Sequence, residues 1–368
     1  MDIINSAIEK IRHIDLKNYR AVVGFDAVID YISRPIKHKT RNENEYFRTI
    51  EEFGDYISSK KGLSGVISIK RESEKIGGNM AILSNSLGSI GIRTDCIGTF
   101  GTAFINPIFN SMKNCKLHSI GETNICTALE FDDGKIMLAD MTAADNITWE
   151  KIKDVLSIDK ITELYMGADI IGLVNWSELK NATQIWHSLY KEIIDKLPDK
   201  KKKLVCIDIT DFSYRMKSEV LELLDTIYLY LNSCKTVISI NENESRLLYR
   251  VVFGDVIPDS VKDIGDKLYE KLKPYKLVIH PIKDAHGWDV DGYYYAKSYY
   301  TEHPKLSTGA GDNFNAGLCL GLLAEMPMEQ VLVTANAVSG FYVRYGYSPT
   351  RDQLVEFMEL QQAKDEEI

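Results

Sequence analysis

Short apolar runs alternate regularly with longer amphipathic stretches through the second half of the chain, and this alternation limits the folds that the chain can adopt. The apolar runs cover residues 170–174, 204–209, 237–240 and 277–280. The stretches between them have the length and the periodicity of α-helices. Continuous apolar strands separated by helices are typical of a parallel sheet that is covered by helices on both faces. The sequence therefore predicts an α/β protein with a mostly parallel central sheet.

The segment at residues 307–323 is the clearest candidate for a functional site. It reads Ser-Thr-Gly-Ala-Gly-Asp-Asn-Phe-Asn-Ala-Gly-Leu-Cys-Leu-Gly-Leu-Leu, a glycine-rich turn that leads into an apolar helix. Backbone N–H groups at a helix start attract anions, because they have no partner in the helix and lie at the positive end of its dipole. Asp312 adds a carboxylate there, which can accept a proton from a hydroxyl. The segment predicts phosphoryl transfer, while a glycine-capped core helix is the alternative.

The composition argues against several kinds of partner and location. A formal net charge of −9 disfavours a nucleic acid or an anionic membrane as the partner. No apolar run approaches the roughly 18 residues that a membrane span requires, and residues 1–20 contain no signal-peptide core. The six cysteines are scattered among apolar neighbours, which is typical of reduced core thiols. We therefore expect a cytoplasmic protein.

Polar side chains follow two of the predicted strands. Asp26 and Asp30 come just after the first apolar run, residues 21–23, and open α/β sheets bind ligands beyond the carboxyl ends of their strands. Two carboxylates at this point suit several hydrogen bonds to a polyol, and a helix cap with a turn residue is the alternative. Asn175 stands at the end of a later strand, where it either reaches a substrate or caps the core.

A small β element interrupts the alternating pattern in the first half of the chain. Residues 65–70 alternate like a strand with one solvated face, and residues 127–140 have the pattern of a hairpin around Asp132-Asp133-Gly134. Between these two segments, Gly77-Gly78-Asn79 introduces a predicted helix. We find no internal repeat and no long linker. We therefore expect a single domain, residues 1–368, that carries a small β flap.

Three separated motifs stand in a defined order. They are Gly77-Gly78-Asn79 with the later Leu87-Gly88 and Ile97-Gly98, then Asn241-Glu-Asn-Glu244 after a predicted strand, and finally Thr308-Gly-Ala-Gly-Asp312. In this order they resemble the N-terminal signature, the Asn-x-x-Glu motif and the C-terminal signature of the ribokinase (PfkB-type) family of carbohydrate and nucleoside kinases. The resemblance spans about residues 20–350. It implies a ribokinase-like three-layer α/β sandwich with a mostly parallel central sheet and a small β lid.

The resemblance also implies a reaction, namely transfer of the γ-phosphoryl group of ATP to a hydroxyl of a small sugar. Asp312 would be the general base that deprotonates this hydroxyl. The backbone of Gly309, Ala310 and Gly311 would form an anion hole for the transferring group. All four residues belong to the C-terminal motif.

The nucleotide and sugar contacts are carried over in the same way. Asn241 and Glu244 would organise Mg²⁺, its waters and the nucleotide phosphates, with Lys283, Gly287 and Asn336 as further nucleotide-binding residues. The sugar hydroxyls would be bound by Asp26, Asp30, Gly78, Asn79 and Asn175.

The family's β lid would correspond to roughly residues 31–36, 64–76 and 122–141 and would close to exclude water. Such lids often pair between subunits, so a homodimer through the lid is a further expectation. Activation by a monovalent cation stays open at this point.

The chain departs from the family pattern in three places. Asn79 follows the glycine pair directly, and Gly98-Thr-Phe-Gly101 lacks the aspartate that commonly comes next. The Thr-x-Gly-x-x-Gly nucleotide loop expected after residue 279 reads His280-Pro-Ile-Lys-Asp-Ala-His-Gly287, and it retains only Gly287. These differences leave the sugar and the nucleotide open. A nucleoside kinase with the same base and a catalytically weak sugar- or nucleotide-binding regulator are the alternatives.

Overall fold

A nine-stranded sheet forms the centre of the protein. The computed structural model describes residues 3–366, with side chains up to residue 363. In spatial order the strands are β14 (Gly292–Lys297), β13 (Asp284–Asp289), β12 (Lys276–Ile279), β11 (Lys235–Ile240), β10 (Leu204–Asp208), β9 (Ile170–Val174), β1 (Arg20–Gly24), β5 (Arg93–Gly98) and β6 (Cys115–Ser119). All neighbours from β12 to β6 are parallel, and β13 and β14 pair antiparallel at one edge. The predicted mostly parallel sheet is confirmed.

Helices cover both faces of this sheet. Strands β9 and β10 are buried along their whole length, as continuous apolar strands require. One hydrophobic core packs the sheet against the first and last helices, and a second core packs it against the middle helices. The two cores give the predicted three layers. In chain order the helices are α1 (Ile3–His13), α2 (Ile50–Ser59), α3 (Asn79–Ile90), α4 (Thr142–Asp145), α5 (Trp149–Leu156), α6 (Ile158–Gly167), α7 (Ala182–Glu192), α8 (Lys217–Leu231), α9 (Glu242–Phe253), α10 (Val261–Leu272), α11 (Ala310–Leu323), α12 (Met328–Tyr345) and α13 (Arg351–Glu366). None of them, within the described residues, has the length and apolarity needed to span a membrane.

Helix α11 is the buried helix that the sequence predicts at residues 307–323. It is apolar nearly all round and packs closely against α12. A Cβ atom at Gly317 would lie 2.7 Å from the Cα atom of Ala335, and one at Gly321 would lie 3.0 Å from that of Val331. The two glycines therefore permit the close approach of the helix backbones.

A second, smaller sheet stands beside the main one. It consists of β2 (Val28–Lys39), β3 (Asn44–Tyr46), β4 (Ile69–Gly77), β7 (Asn124–Phe131) and β8 (Gly134–Asp140). The predicted hairpin is present as β7 and β8, which pair from Ile125 to Phe131. The central strand β2 pairs with β4 on one side and with β7 on the other.

One expectation for this region is wrong. The strand expected at residues 65–70 is instead β4, which begins at Ile69 and continues to Gly77. Its bounds follow its pairing with the distant strand β2, whose ladder with β4 runs from the pair Val28–Gly77 to the pair Pro35–Ile69. Asp30, which the sequence places just past the end of β1, is the third residue of β2. The long strand β2 therefore carries Asp30 into the second sheet.

Candidate active site

Polar side chains gather where the parallel strands of the main sheet end. Asp26 follows β1, Asn175 follows β9, and Asp208 is the last residue of β10. Asn241 follows β11, and His280 follows β12. Because neighbouring parallel strands end at the same edge of the sheet, these residues lie along that edge although they are far apart in the sequence.

The first turn of α11 provides backbone donors beside a buried carboxyl group. Gly309 caps the helix with a φ of +88°, and a Cβ atom there would lie 2.8 Å from the hydroxyl oxygen of Tyr342. The N–H group of Ala310 already donates to Ser307 O at 3.1 Å. Within residues 3–366, the N–H groups of Gly311 and Asp312 donate to no carbonyl of the preceding turn. The helix itself therefore uses neither group, and both lie at its positive end, where anions bind, although the N–H group of Asp312 also interacts with its own carboxyl group.

Asp312 lies in this first turn, in the C-terminal motif. Its side chain contacts Asn79 of the N-terminal motif. Its side chain is buried, and Oδ1 has no hydrogen-bond partner within the described residues. Burial, together with the charges of Asp208 and Asp26, raises the pKa of Asp312 well above its ordinary value, while a hydrogen bond from Asn79 lowers it. A raised pKa makes the carboxylate a stronger proton acceptor.

Asp26 is fixed from two sides. The side-chain amide of Asn175 donates to Asp26 Oδ2 at 2.9 Å, and the N–H group of Met80 donates to Oδ1 at 3.0 Å. Gly78 precedes α3 with a φ of +85°, and a Cβ atom there would lie 2.6 Å from Asp26 Oδ2. Burial raises the pKa of Asp26 to about 6, although these hydrogen bonds act to lower it. Asn175 Oδ1 is buried without a partner within the described residues, so it is free to accept a hydrogen bond from a ligand.

Asp30 approaches the same helix start from the second sheet. With Lys75 and Lys135 it lines a narrow cavity of about 10 Å³, whose opposite wall includes Thr308 and Tyr342. Burial raises the pKa of Asp30 to about 6, and the two lysines oppose this shift. The Tyr342 hydroxyl donates to Thr308 O at 2.8 Å. This tyrosine is a site residue that the sequence analysis missed, since no motif marks it.

Asn241 and Glu244 cap the start of α9 for each other. The backbone N–H group and the side-chain amide of Asn241 donate to the two carboxylate oxygens of Glu244 at 2.9 and 2.6 Å, and Glu244 N donates to Asn241 Oδ1 at 2.9 Å. Burial and the charges of Asp208 and Asp211 raise the pKa of Glu244 to about 8. Asp208 is itself held by Asn315, whose amide donates to it at 2.8 Å.

A cavity of about 510 Å³ opens on the other side of the α11 start. Aromatic and apolar side chains form most of its wall, with a few polar groups; the lining includes Asn241, His280, Ile282, Tyr299, Tyr300, Pro304, Ala310, Gly311, Phe314, Asn336 and Val343. The amide of Asn336 donates to the carbonyls of Ala296 and Lys297 at 3.4 and 3.2 Å. Volume and lining are of the kind that binds a small ligand with an aromatic group.

Two residues expected at the nucleotide, Lys283 and Gly287, do not line this cavity. Lys283 is exposed, and its ammonium group lies over the ring of Tyr300 at 5.2 Å instead of lining the cavity. Gly287 is inside β13 beneath α12, where a Cβ atom would lie 2.5 Å from Met328. The expected loop is a short turn followed by a strand, because residues 284–289 turn back to pair with β12. His280, the first residue of this turn, does line the cavity. The sequence analysis did not name it as a site residue, and its departure from the family motif was the signal that could have identified it.

Three or more His, Cys, Asp or Glu side chains nowhere come together as a metal-binding group between residues 3 and 366. The donor set of Asn241, Glu244 and Asp208 nevertheless fits a hydrated divalent cation. Its oxygens are hard ligands of the kind that Mg²⁺ prefers while it keeps several waters. The charge of Asp208 raises the pKa of Glu244, and a cation would relieve that repulsion.

Comparisons with known proteins agree with this geometry. The family model for prokaryotic ketohexokinase matches residues 2–360. A ketohexokinase of Haloferax volcanii is 27% identical over 342 residues, which are 92% of this chain and 90% of that protein. A fructokinase with bound ATP from Xylella fastidiosa aligns with a TM-score of 0.66 at 12% identity, over 94% of this chain and 100% of that one. A nucleoside kinase from Methanocaldococcus jannaschii, an archaeal member of the ribokinase family, aligns with a TM-score of 0.61 at 16% identity, over 93% and 98%. The two structures confirm the ribokinase-like fold.

Proposed function

The chain belongs to the prokaryotic ketohexokinase family and is an ATP-dependent sugar kinase, and we propose that it transfers the γ-phosphoryl group of ATP to a hydroxyl of a ketohexose. One observation carries this proposal. The first turn of α11 has the large cavity on one side, through Ala310 and Gly311. On its other side, the Asp312 carboxyl group lies with Asn79 and Asp26. A sugar hydroxyl bound beside Asp312 and a triphosphate bound in the cavity would meet at this turn.

In the proposed mechanism, Asp312 accepts the proton of the acceptor hydroxyl as the oxygen attacks phosphorus in line. The N–H groups of Gly311 and Asp312 stabilise the negative charge on the transferring group, because they lie at the positive end of α11. Asp26 and Asn175 orient the sugar through their hydrogen bonds, with Asp30, Gly78 and Asn79 beside them. Asn336 and Asn241 lie in the cavity and contact the nucleotide.

Mg²⁺ is the proposed metal cofactor, and it would neutralise the charge on the β- and γ-phosphate oxygens. Glu244 and Asn241 would hold it through its waters, with the carboxylate of Asp208 nearby. The mutual capping of Asn241 and Glu244 fixes both side chains before any ligand arrives. This rigidity suits residues that must orient water molecules and not only bind a cation.

The second sheet is proposed to act as a lid within a single domain. Its strands overlap the segments at residues 31–36, 64–76 and 122–141 that the sequence suggested, and Asp30 connects it to the helix start. Ile125 and Leu138 on this sheet are 43% and 56% exposed. Such apolar surface would support the homodimer through the lid, which sedimentation velocity would detect. Activation by a monovalent cation is tested by comparing turnover in potassium, sodium and tetramethylammonium salts.

A substrate panel tests the proposed reaction. The purified chain is assayed for ADP release with ATP and Mg²⁺ against ketohexoses, aldohexoses, pentoses and nucleosides. We expect the highest kcat/KM with a ketohexose, and ³¹P and ¹³C NMR of the product will identify the phosphorylated hydroxyl. The Asp312→Asn variant serves as the catalytic blank for each compound.

The other results of the panel would contradict the proposal in distinct ways. Preferred turnover of a nucleoside would assign the chain to nucleoside phosphorylation. Binding of sugars and ATP with no ADP release above the blank would favour a regulator.

A further inference from the structure

His280 occupies a partly buried position at the end of β12. It follows β12 and precedes Pro281, and its N–H group donates to Ile240 O at 3.0 Å, which continues the pairing of β11 with β12. Its ring stacks on Phe314 of α11, with centroids 4.6 Å apart and planes 30° apart. The backbone and the stack fix the position of the ring, so the direction of its nitrogens is set by the fold.

The Nε2 atom of this ring is buried and has no hydrogen-bond partner within the described residues. Burial lowers the pKa of His280 to about 4, so the imidazole is neutral at ordinary pH. Buried polar atoms in native proteins are nearly always paired, because leaving one unpaired costs free energy. A partner that arrives with a ligand would account for the unpaired nitrogen.

The cavity beside α11 is where such a ligand would be. His280 lines it together with Asn241 and Gly311. The Cε1 atom of the ring, which is bonded to Nε2, would lie 3.6 Å from a Cβ atom at Gly311. The ring therefore adjoins the N–H donors of the first turn of α11, and a group held by those donors is an anion.

We propose that Nε2 of His280 donates a hydrogen bond to a phosphate oxygen of the nucleotide bound in this cavity. The inference rests on the proposed kinase function and adds a nucleotide-binding residue to it. A phosphate chain offers only acceptors, so the bound nucleotide selects the tautomer that carries its proton on Nε2. The donor is uncharged and supplements the backbone N–H groups without adding a cation to the site.

Two substitutions of His280 distinguish a hydrogen bond to the nucleotide from packing against Phe314. His280→Phe keeps a ring to stack on Phe314 but removes the donor, whereas His280→Gln loses the ring and keeps an N–H group at a similar distance from the backbone. We expect the Phe variant to bind both ADP and inorganic tripolyphosphate about tenfold more weakly in calorimetric titrations. The Gln variant should stay within about threefold of the parent chain, although its thermal stability falls further because the stack is lost.

Several results would overturn the proposal. One is a Phe variant that binds ADP like the parent chain while the Gln variant does not, since that order indicates packing alone. A second is weaker binding of ADP with unchanged binding of tripolyphosphate, which would place the contact at the ribose or the base. These titrations contain no sugar, so a failed kinase reaction with the expected titrations contradicts the proposed function and not the role of His280.

The tautomer can also be observed without any substitution. In the full chain labelled with ¹⁵N-histidine, the His280 signals should show a protonated Nε2 and an unprotonated Nδ1 once ADP is added. An Nε2 that is unprotonated in the complex would contradict the proposal even if both variants failed to fold.

Discussion

The two sides of the α11 start differ in how they are built. The nucleotide side is a cavity of about 510 Å³, formed by the ends of main-sheet strands, by α11 and α12, and by the segment after β14. The proposed acceptor side narrows at Asp30 to a gap of about 10 Å³, because β2, β4 and β8 of the second sheet lie directly against the turn at Thr308. The first side belongs to the central fold, and the second depends on a separate sheet.

This difference has a consequence for ligand binding. The proposed lid narrows the space beside the α11 start to a small gap at Asp30, so we expect the second sheet to move away before a sugar enters and to return afterwards. The nucleotide side requires no comparable rearrangement. We therefore expect substitutions on the two sides to affect the two substrates separately, and substitutions at the shared turn to affect turnover alone.

The largest effect is expected at the shared turn. Asp312→Asn removes the proton acceptor but keeps the shape of the side chain, so kcat should fall about 10³-fold, while both KM values change less than about threefold. Steady-state ADP release measures all three quantities. Asp255→Asn is the control, since the Asp255 side chain is 94% exposed. A kcat within tenfold of the parent chain would exclude Asp312 as the general base.

The next effect isolates the nucleotide side. Glu244→Gln removes the negative charge that is proposed to hold Mg²⁺ through water, so kcat/KM for ATP should fall about 30-fold at limiting Mg²⁺ and recover in part at high Mg²⁺. The KM for the sugar should not change. The matched control is Glu242→Gln on the same helix, whose carboxylate pairs with Arg246 at 2.8 Å away from the cavity. An altered sugar KM would break the proposed separation of the two sides.

A smaller effect isolates the acceptor side. Asp30→Asn replaces a carboxylate acceptor by an amide, so the KM for the sugar should rise about tenfold with the KM for ATP unchanged. Asp132→Asn on the same sheet is the control, because Asp132 contacts Arg34 at 3.4 Å and is largely exposed. Equal effects on both substrates would indicate that the second sheet also forms part of the nucleotide side.

The smallest effect concerns stability and pH. Burial raises the pKa of Asp30 from 3.8 to about 6. The folded chain therefore binds this proton more tightly than the unfolded chain, and the stability that the proton provides is lost as the pH rises from about 4 to about 6. Asp30→Asn cannot ionise, so its melting temperature relative to the parent chain should rise by a few degrees between pH 4 and pH 7. Differential scanning fluorimetry measures the difference, and a constant difference would contradict the raised pKa.

Local patterns in the sequence predict those parts of the molecule whose structure is determined locally. The alternation of apolar and amphipathic runs predicts the central sheet because each strand is apolar on both faces. The turn before Asp312 is predictable because a positive φ favours glycine and a helix start leaves its N–H groups unpaired. Asn241 and Glu244 are equally local, since a capping box needs only three residues of separation.

Long-range pairing decides the parts that local patterns do not reveal. Gly287 and Lys283 were expected in a loop, but residues 284–289 form β13 because they pair with β12 and β14. Asp30 was expected just past the end of the first strand, and pairing with β4 and β7 makes it part of β2, a strand that the sequence analysis did not predict. Neither pairing leaves a clear local signal, because the partners that satisfy the backbone of these strands come from elsewhere in the chain.

The sequence by itself determined that this chain forms an α/β sandwich and that a carboxylate stands at a glycine-capped helix start. Helix caps and hydrophobic periodicity act between residues a few positions apart, so the sequence contains them directly. Only the tertiary structure decided which residues meet Asp312. Asp26, Asp208 and Asn79 approach it from three other parts of the chain, and His280 lines the cavity only because β12 and α11 hold its ring there. Burial and the field of distant charges set the pKa values of these groups, and both depend on the complete fold.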